Sequence, residues 1–246
     1  MKEYLNATRT GTWGFVAAMP LLVLYEVMVL LVNAGRTAEV RVGADVWIKA
    51  LMSVLGDWGM LGLSVAILVT GGWIFFRDRK RSIPLKPRWF GYLILESLLY
   101  AIVLALLVST TVGALFNGAA TLVAGLQAIG EAAPVDRVTM FVLSLGAGLY
   151  EELVFRVVLV GGLFWILKRF VGRPWVAYVV AALVGAFLFS LVHYLGPLGD
   201  PFSLASFTFR FLFGLALNGV FLLRGFGAAA WTHALYDVLV VTRLLG

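Results

Sequence analysis

The chain contains no cysteine, which excludes a disulfide framework, a thiolate nucleophile and a Cys-ligated metal site. Cysteine-protease chemistry is therefore excluded from the candidate functions. Charged residues are also scarce, at 13% of 246 positions, and histidine occurs only twice. Any acid–base chemistry must come from a small number of carboxylates and from those two imidazoles.

Apolar residues make up 62% of the chain, and the mean hydropathy is +0.99. A soluble domain of this length could not cover so much apolar surface, so the composition indicates an integral membrane protein. The apolar runs are each about twenty residues long, which is enough for a helix that crosses a bilayer. The sequence predicts an all-α, polytopic transmembrane helical bundle with about seven to eight membrane helices.

Basic residues collect in short loops beside the apolar runs, most densely in RDRKRSIPLKPR at residues 77–88. The net charge of +6 is better explained by membrane topology than by nucleic-acid binding, because cytoplasmic loops carry an excess of Lys and Arg. We therefore predict a multi-pass protein of a prokaryotic cell membrane, with the lipid bilayer as partner, no nucleic acid and a cytoplasmic N-terminus. Residues 33–56 are predicted as a loop with an interfacial helix, and 113–137 as a re-entrant or surface helix.

The segment YEELVFR, residues 150–156, places two glutamates and an arginine inside an apolar run that spans residues 138–167. Ionisable groups at membrane depth are costly and indicate a functional site by default. On a helix, Glu152 and Arg156 are four residues apart and can form an ion pair. Glu151 is rotated away from that face by about 100° and lacks an obvious local partner. It must bind a proton, meet a cation or take part in chemistry, unless both glutamates are polar packing contacts between helices.

Both histidines also lie in apolar helices, and each is four residues from a second notable side chain. Phe189 precedes His193 by four positions, and Asp237 follows His233 by four. A single histidine in an apolar helix is more often a packing residue than a functional one. Two histidines together with a two-glutamate motif favour a shared polar site.

These motifs, EExxxR, FxxxH and HxxxD in this order on three membrane helices, resemble those of the CPBP intramembrane proteases. That family includes the type II CAAX prenyl endopeptidases and bacterial Abi-type proteins. The composition predicts one membrane domain over residues 1–246, with N-terminal helices and interfacial segments in 1–137. The resemblance covers roughly residues 138–241 and implies a CPBP-like catalytic core in 138–245. It also implies an intramembrane endopeptidase that hydrolyses a membrane-associated, prenylated or lipid-proximal peptide or protein.

The same resemblance implies a role for each motif residue. Glu151 and His193 would activate a water molecule, and His233 and Asp237 would stabilise the developing oxyanion. The remaining motif residues would support the site: Glu152, Arg156 and Phe189. In that role, the ion pair between the second glutamate and the arginine would hold the helix and bias the charge of Glu151.

The aspartate at position 237 leaves alternatives open, because some family members have asparagine there and an ionised carboxylate cannot donate a hydrogen bond. Asp237 is either protonated, or orients His233, or belongs to a metal site. Glu151, His193, His233 and Asp237 would form an N/O ligand set suited to zinc or another divalent cation. The glutamate–water mechanism needs no metal, and we expect none to be required.

Two other classes of function are compatible with the sequence. A proton- or cation-coupled transporter would use intramembrane acids such as Glu151, Glu26 and Glu96 as a relay, although no internal repeat supports that architecture. A non-catalytic membrane scaffold would keep the motifs for folding only. For Glu26, Glu96 and Arg210 we expect structural roles, as helix–helix hydrogen bonds or snorkelling side chains.

The depths of the motif residues do not agree if every helix is straight. Glu151 and His193 lie roughly 25 to 30 Å from the cytoplasmic ends of their helices, whereas His233 lies only about 12 Å from Arg224. The residues can meet if the last two helices join in a turn below the surface, with Arg224 snorkelling. A tilt or break in the helix of His193 would have the same effect.

Overall fold

The computed structural model describes residues 1–35, 40–54, 56, 69–78, 83–116, 136–195 and 199–242. Within these ranges the secondary structure is helical and contains no strand, which confirms the predicted all-α class. The α-helices are α1 Lys2–Thr8, α2 Gly11–Asn33, α3 Gly43–Ser53, α4 Pro87–Leu115, α5 Arg137–Gly146, α6 Gly161–Leu167, α7 Pro174–Val192, α8 Leu204–Arg224 and α9 Phe226–Val241. A further helical stretch covers residues 69–78.

Four of the described helices are long and apolar enough to cross a membrane: α2, α4, α7 and α8. Only 22 to 39% of the most apolar stretch of each is buried inside the protein, and side chains such as Leu31, Leu95 and Leu106 are exposed. Apolar surface of this extent suits lipid chains rather than water. The membrane class is therefore supported, but the predicted count of seven to eight membrane helices is not confirmed.

The segment that carries YEELVFR is helical from residue 137 to residue 167, and we call it the motif helix. Between α5 and α6 its backbone forms two π-helical stretches, Ala147–Glu151 and Leu153–Val160. Such turns are rare in proteins and occur frequently at functional sites. The hydrophobic pattern predicted the helix but not the π-helical turns, because apolar periodicity does not reveal the hydrogen-bond register.

The central helix of the bundle is α9, which contributes to two hydrophobic cores. One core joins α2, α3, the motif helix and α9, with Tyr25, Leu145 and Ala234 among its buried residues. The other joins α4, α8 and α9, with Val108 and Phe213 among its members. Because α9 is packed on both sides, the positions of His233 and Asp237 are set by contacts with all the surrounding helices.

Gly148 allows the motif helix to pack closely against α9. A Cβ atom at this position would lie 2.5 Å from the carbonyl oxygen of Ala230 and 2.5 Å from the Cβ of Ala234. Non-bonded atoms do not approach so closely, so any larger residue would push the two helices apart. This close approach places the two glutamates against the helix that carries His233.

A single residue connects α8 to α9. Gly225 has a φ of 86°, in the left-handed region that favours glycine, and this conformation lets the chain reverse between Arg224 and Phe226. The turn that would reconcile the depths of the motif residues is therefore present. Arg224 does not snorkel: it is buried and pairs with Glu96, with 2.5 Å between Nε and a carboxylate oxygen.

The remaining predicted segments are described only in part. The predicted interfacial helix corresponds to α3, where the Trp47 side chain is 46% exposed. The apolar run over residues 58–76 also predicts a membrane span, and it enters the described ranges only at residue 69. The predicted surface helix over 113–137 lies mostly outside the described residues, and α4 continues to Leu115.

Candidate active site

Residues of the three motifs line one cavity with a volume of about 670 Å³. Glu151 lies in the wall formed by the motif helix, His193 at the end of α7, and His233 and Asp237 on α9. Most of the other lining residues are apolar, including Trp47 of α3. The tertiary structure therefore brings together the four residues predicted to carry the chemistry.

Glu151 and His193 lie near each other in the lining of the cavity. The distance from Glu151 Oε2 to His193 Nε2 is 4.0 Å. This carboxylate oxygen is buried and accepts no hydrogen bond from any residue in the described ranges. The gap is too long for a direct hydrogen bond, but one water molecule placed between the two atoms can contact both. The motif helix offers Glu151 no obvious partner, and the side chain that lies beside it, His193, comes from the end of α7 instead.

The end of α7 orients the imidazole of His193. The backbone N–H of His193 donates to the carbonyl oxygen of Ser190, and the ring Nδ1 lies 2.7 Å from the carbonyl oxygen of Phe189. A carbonyl group only accepts hydrogen bonds, so the ring hydrogen is on Nδ1. In the neutral ring, Nε2 then presents a lone pair towards Glu151.

Phe189 packs between the two imidazoles. The centroid of its ring is 5.1 Å from that of His193 and 5.7 Å from that of His233, both in edge-to-face geometry. The guanidinium of Arg156 lies 4.4 Å from the same centroid, within the range of a cation–π contact. These contacts restrict the orientation of both histidines, and the supporting role of Phe189 stays a prediction.

Glu152 connects Arg156 to His233 inside the bundle. Its Oε1 accepts a hydrogen bond of 2.8 Å from Nδ1 of His233, and its Oε2 lies 3.1 Å from Nε of Arg156. The spacing in the sequence predicted the ion pair with Arg156. It did not predict the bond to His233, because the two residues are 81 positions apart. Glu152 therefore contacts the site directly as well as holding the motif helix.

Asp237 lies on the opposite side of the His233 ring. Its Oδ2 is 3.6 Å from Nε2 of His233, so the imidazole has a carboxylate beside each of its nitrogens. Among the three alternatives for Asp237, this arrangement favours the orientation of His233. Both His233 and Asp237 line the cavity.

Several buried polar atoms of this cluster make no hydrogen bond within the described part of the chain: Glu151 Oε2, Glu152 Oε2, and Nε and Nη1 of Arg156. The remaining guanidinium nitrogen of Arg156 donates to the carbonyl oxygen of Gly214 at 3.3 Å. Most buried polar groups in folded proteins are satisfied, so this concentration of unsatisfied atoms is unusual. Of these residues Glu151 lines the cavity, so its Oε2 is the atom placed to accept a hydrogen bond from water or a bound molecule.

The donor atoms of the site do not match a metal centre. Among the residues that the structure describes, no group of three or more His, Asp or Glu side chains is arranged to hold one ion. His233 directs both nitrogens to carboxylates, and one nitrogen of His193 is bonded to a carbonyl group. The four-residue ligand set that the sequence leaves open as an alternative is not seen as one group in the described ranges.

Three other polar residues that the sequence places in apolar helices have structural partners. Glu26 pairs with Lys49 at 3.0 Å, and Glu96 pairs with Arg224. Arg210 donates to two hydroxyl groups at 2.8 and 2.9 Å. These contacts agree with the structural roles expected for them. Glu26 and Glu96 belong to ion-pair clusters of their own, which gives no support to a relay through Glu151.

The fold and the site define the class of this protein as a helical membrane protein with a buried carboxylate–imidazole centre. Residues 134–239 match the family model described as type II CAAX prenyl endopeptidase Rce1-like. This region spans under half of the chain and contains all three motifs, and the match confirms the resemblance to the CPBP/CAAX proteases seen in those motifs. No curated protein and no solved structure matches the chain.

Proposed function

We propose that the protein is an intramembrane endopeptidase in which Glu151 and His193 activate the attacking water. The observation that carries this proposal is the 4.0 Å gap between the Glu151 carboxylate and the unbonded nitrogen of His193, at the wall of a largely apolar cavity. A water in that gap would donate one hydrogen bond to each group. In such a site, general-base catalysis contributes a rate factor of about 10² to 10⁴.

In the proposed reaction, the proton that the water loses is passed by Glu151 to the leaving amine. Glu151 takes the proton while Nε2 of His193 holds the second hydrogen of the water, and the resulting hydroxide attacks the peptide carbonyl carbon. The carbonyl oxygen becomes an oxyanion. Glu151 then gives its proton to the leaving amine as the carbon–nitrogen bond breaks, which restores the carboxylate.

We assign the stabilisation of the oxyanion to His233. Its Nδ1 hydrogen is bonded to Glu152, and in the doubly protonated ring Nε2 carries a second hydrogen beside Asp237 and the cavity. A donor held in place before the reaction stabilises developing charge without reorganisation. Glu152 and Asp237 would hold the ring in the required orientation, and Arg156 would hold Glu152.

We propose a membrane-associated peptide as substrate, with a prenylated peptide as the first candidate, because the matching family model is that of a CAAX prenyl endopeptidase. The cavity volume of about 670 Å³ is in the usual range for sites that bind small molecules or short peptide segments. Aromatic side chains such as Trp47, Phe155 and Phe213 line it and would pack against apolar parts of the substrate.

Replacement of either water-activating residue tests this function. The purified protein in lipid nanodiscs is given an internally quenched peptide that carries a farnesylated cysteine followed by three residues. Glu151→Gln keeps the side-chain volume but removes the base, and His193→Ala removes the second acceptor of the water. We expect either change to lower the cleavage rate by about 10²- to 10⁴-fold.

The matched control is Glu3→Gln, because the Glu3 side chain is 63% exposed and pairs with Lys86 at the surface. That variant should cleave the peptide at the wild-type rate. Undiminished cleavage by Glu151→Gln would overturn the proposed mechanism.

A further inference from the structure

Tyr236 has a buried hydroxyl group that the proposed reaction does not use. It lies on α9 beside Asp237 and lines the same cavity, and the residue is only 3% exposed. Its hydroxyl oxygen is buried and has no hydrogen-bond partner among the residues of the described ranges. An unpaired hydroxyl in apolar surroundings costs free energy, so its retention requires an explanation.

Two phenylalanines of α8 hold the Tyr236 ring in place. The ring centroid lies 4.2 Å from that of Phe213 and 6.1 Å from that of Phe209. The phenolic oxygen lies on the long axis of the ring, so rotation about that axis does not move it. Only the O–H bond can turn. The hydroxyl is therefore fixed in position and has one hydrogen to donate.

We propose that the Tyr236 hydroxyl donates a hydrogen bond to a backbone carbonyl group of the bound peptide. This inference rests on the proposed function, which supplies a peptide as the ligand. Glu151 and Asp237, which line the same cavity, are carboxylates and can accept from peptide N–H groups but, when ionised, cannot serve peptide carbonyls. A carbonyl group that leaves water on entering the cavity needs a donor, and Tyr236 has one unused.

The test measures binding separately from cleavage. The affinity of a fluorescently labelled farnesylated peptide is measured by anisotropy in nanodiscs, with Glu151→Gln as the background that prevents turnover. Adding Tyr236→Phe removes only the hydroxyl oxygen, and we expect the Kd to rise about tenfold. The matched control is Tyr178→Phe in the same background, because the hydroxyl of Tyr178 donates to the carbonyl oxygen of Asn218 at 2.9 Å. That change should leave the Kd unaltered.

Thermal unfolding separates a substrate contact from a structural one. Tyr236→Phe should unfold at the wild-type temperature or above it, whereas Tyr178→Phe should unfold at a lower temperature because it loses a hydrogen bond. A Kd that stays within twofold after Tyr236→Phe would overturn the inference. A loss of stability as large as that of Tyr178→Phe would also overturn it, because the hydroxyl would then have a protein partner. Failure of the proposed function is detected separately, as undiminished cleavage by Glu151→Gln.

Discussion

Among the described residues, two largely buried glutamate–arginine pairs differ in how completely their polar atoms are satisfied. In the pair formed by Glu96 and Arg224, the carboxylate accepts hydrogen bonds from Arg224 at 2.5 and 2.9 Å, from Tyr4 at 2.5 Å and from Tyr100 at 2.6 Å. Arg224 also donates to the carbonyl oxygen of Leu5 at 3.0 Å. This pair therefore ties α1, α4 and the end of α8 together.

The pair formed by Glu152 and Arg156 is more deeply buried but less satisfied. The two side chains are 0% and 1% exposed, and the Oε2 to Nε distance is 3.1 Å. Neither of those two atoms makes a geometrically acceptable hydrogen bond within the described residues, and neither does Nη1 of Arg156. Glu151, which also has an unsatisfied oxygen, immediately precedes Glu152 in the same helix.

We interpret this difference as the difference between a structural ion pair and the proposed functional cluster. A fully satisfied buried network stabilises a unique packing, whereas a partly satisfied one costs free energy and persists where function requires it. Of the residues with unsatisfied atoms in this cluster, Glu151 lines the cavity together with His193 and Asp237, and Glu152 is next to it in the motif helix. Substitutions in the two regions should therefore have different effects on stability and on cleavage.

The largest effect on stability is expected in the satisfied pair. Arg224→Met removes the cation and leaves Glu96 as a buried carboxylate without its ion-pair partner. Loss of one member of such a pair lowers the free energy of unfolding by about 3 to 5 kcal/mol. Equilibrium unfolding in mixed micelles measures this change, and the cleavage rate per folded molecule should stay at the wild-type value.

The control for that experiment is Arg88→Met, at an exposed position. Its free energy of unfolding should change by no more than about 0.5 kcal/mol. A fall in the cleavage rate per folded molecule of Arg224→Met would remove the distinction between the two regions.

Substitution of Gly148 should lower stability by less than Arg224→Met does, and it should also lower the cleavage rate. The Cβ added by Gly148→Ala would overlap with Ala230 and Ala234, and overpacking of this kind costs about 1 to 3 kcal/mol. Because the strain pushes α9 away from the motif helix, His233 should separate from Glu152 and the cleavage rate should fall as well. Unfolding and cleavage are measured on the same preparation.

Gly162 provides the matched control on the same motif helix, since a Cβ there meets no other atom within 4 Å. Gly162→Ala should keep full activity and gain up to about 1 kcal/mol of stability, because alanine favours helix more than glycine does. Equal effects of the two alanine substitutions would show that close contact at Gly148 does not position the site.

The smallest effect is expected at Asp237, which contacts His233 at 3.6 Å, beyond normal hydrogen-bond distance. Asp237→Asn keeps the shape of the side chain and supplies an amide donor, so we expect the free energy of unfolding to change by about 0.5 kcal/mol or less and the cleavage rate by less than tenfold. Asp237→Ala, which removes the support of the imidazole, should reduce cleavage further. If Asp237→Asn lowered the cleavage rate as much as Glu151→Gln does, the negative charge of Asp237 would be essential for cleavage.

The sequence predicted most of the helices and the identity of the polar residues around the site. The apolar run over residues 13–32 predicts a membrane span and corresponds to α2, Gly11–Asn33. The ion pair of Glu152 with Arg156 follows from their spacing. The π-helical turns and the bond between Glu152 and His233 were not predicted. The burial of Arg224 beside Glu96, 128 positions away in the chain, was not predicted either.

What the sequence determined by itself is the class of protein and the set of candidate residues, because membrane burial and helix formation depend on local runs of apolar side chains. Only the tertiary structure decided that Glu151 meets His193 while Glu152 meets His233. Adjacent residues point in different directions from a helix, and their partners depend on how neighbouring helices are rotated and how closely they approach. Those quantities are set by contacts such as that of Gly148 with α9, which join residues far apart in the chain.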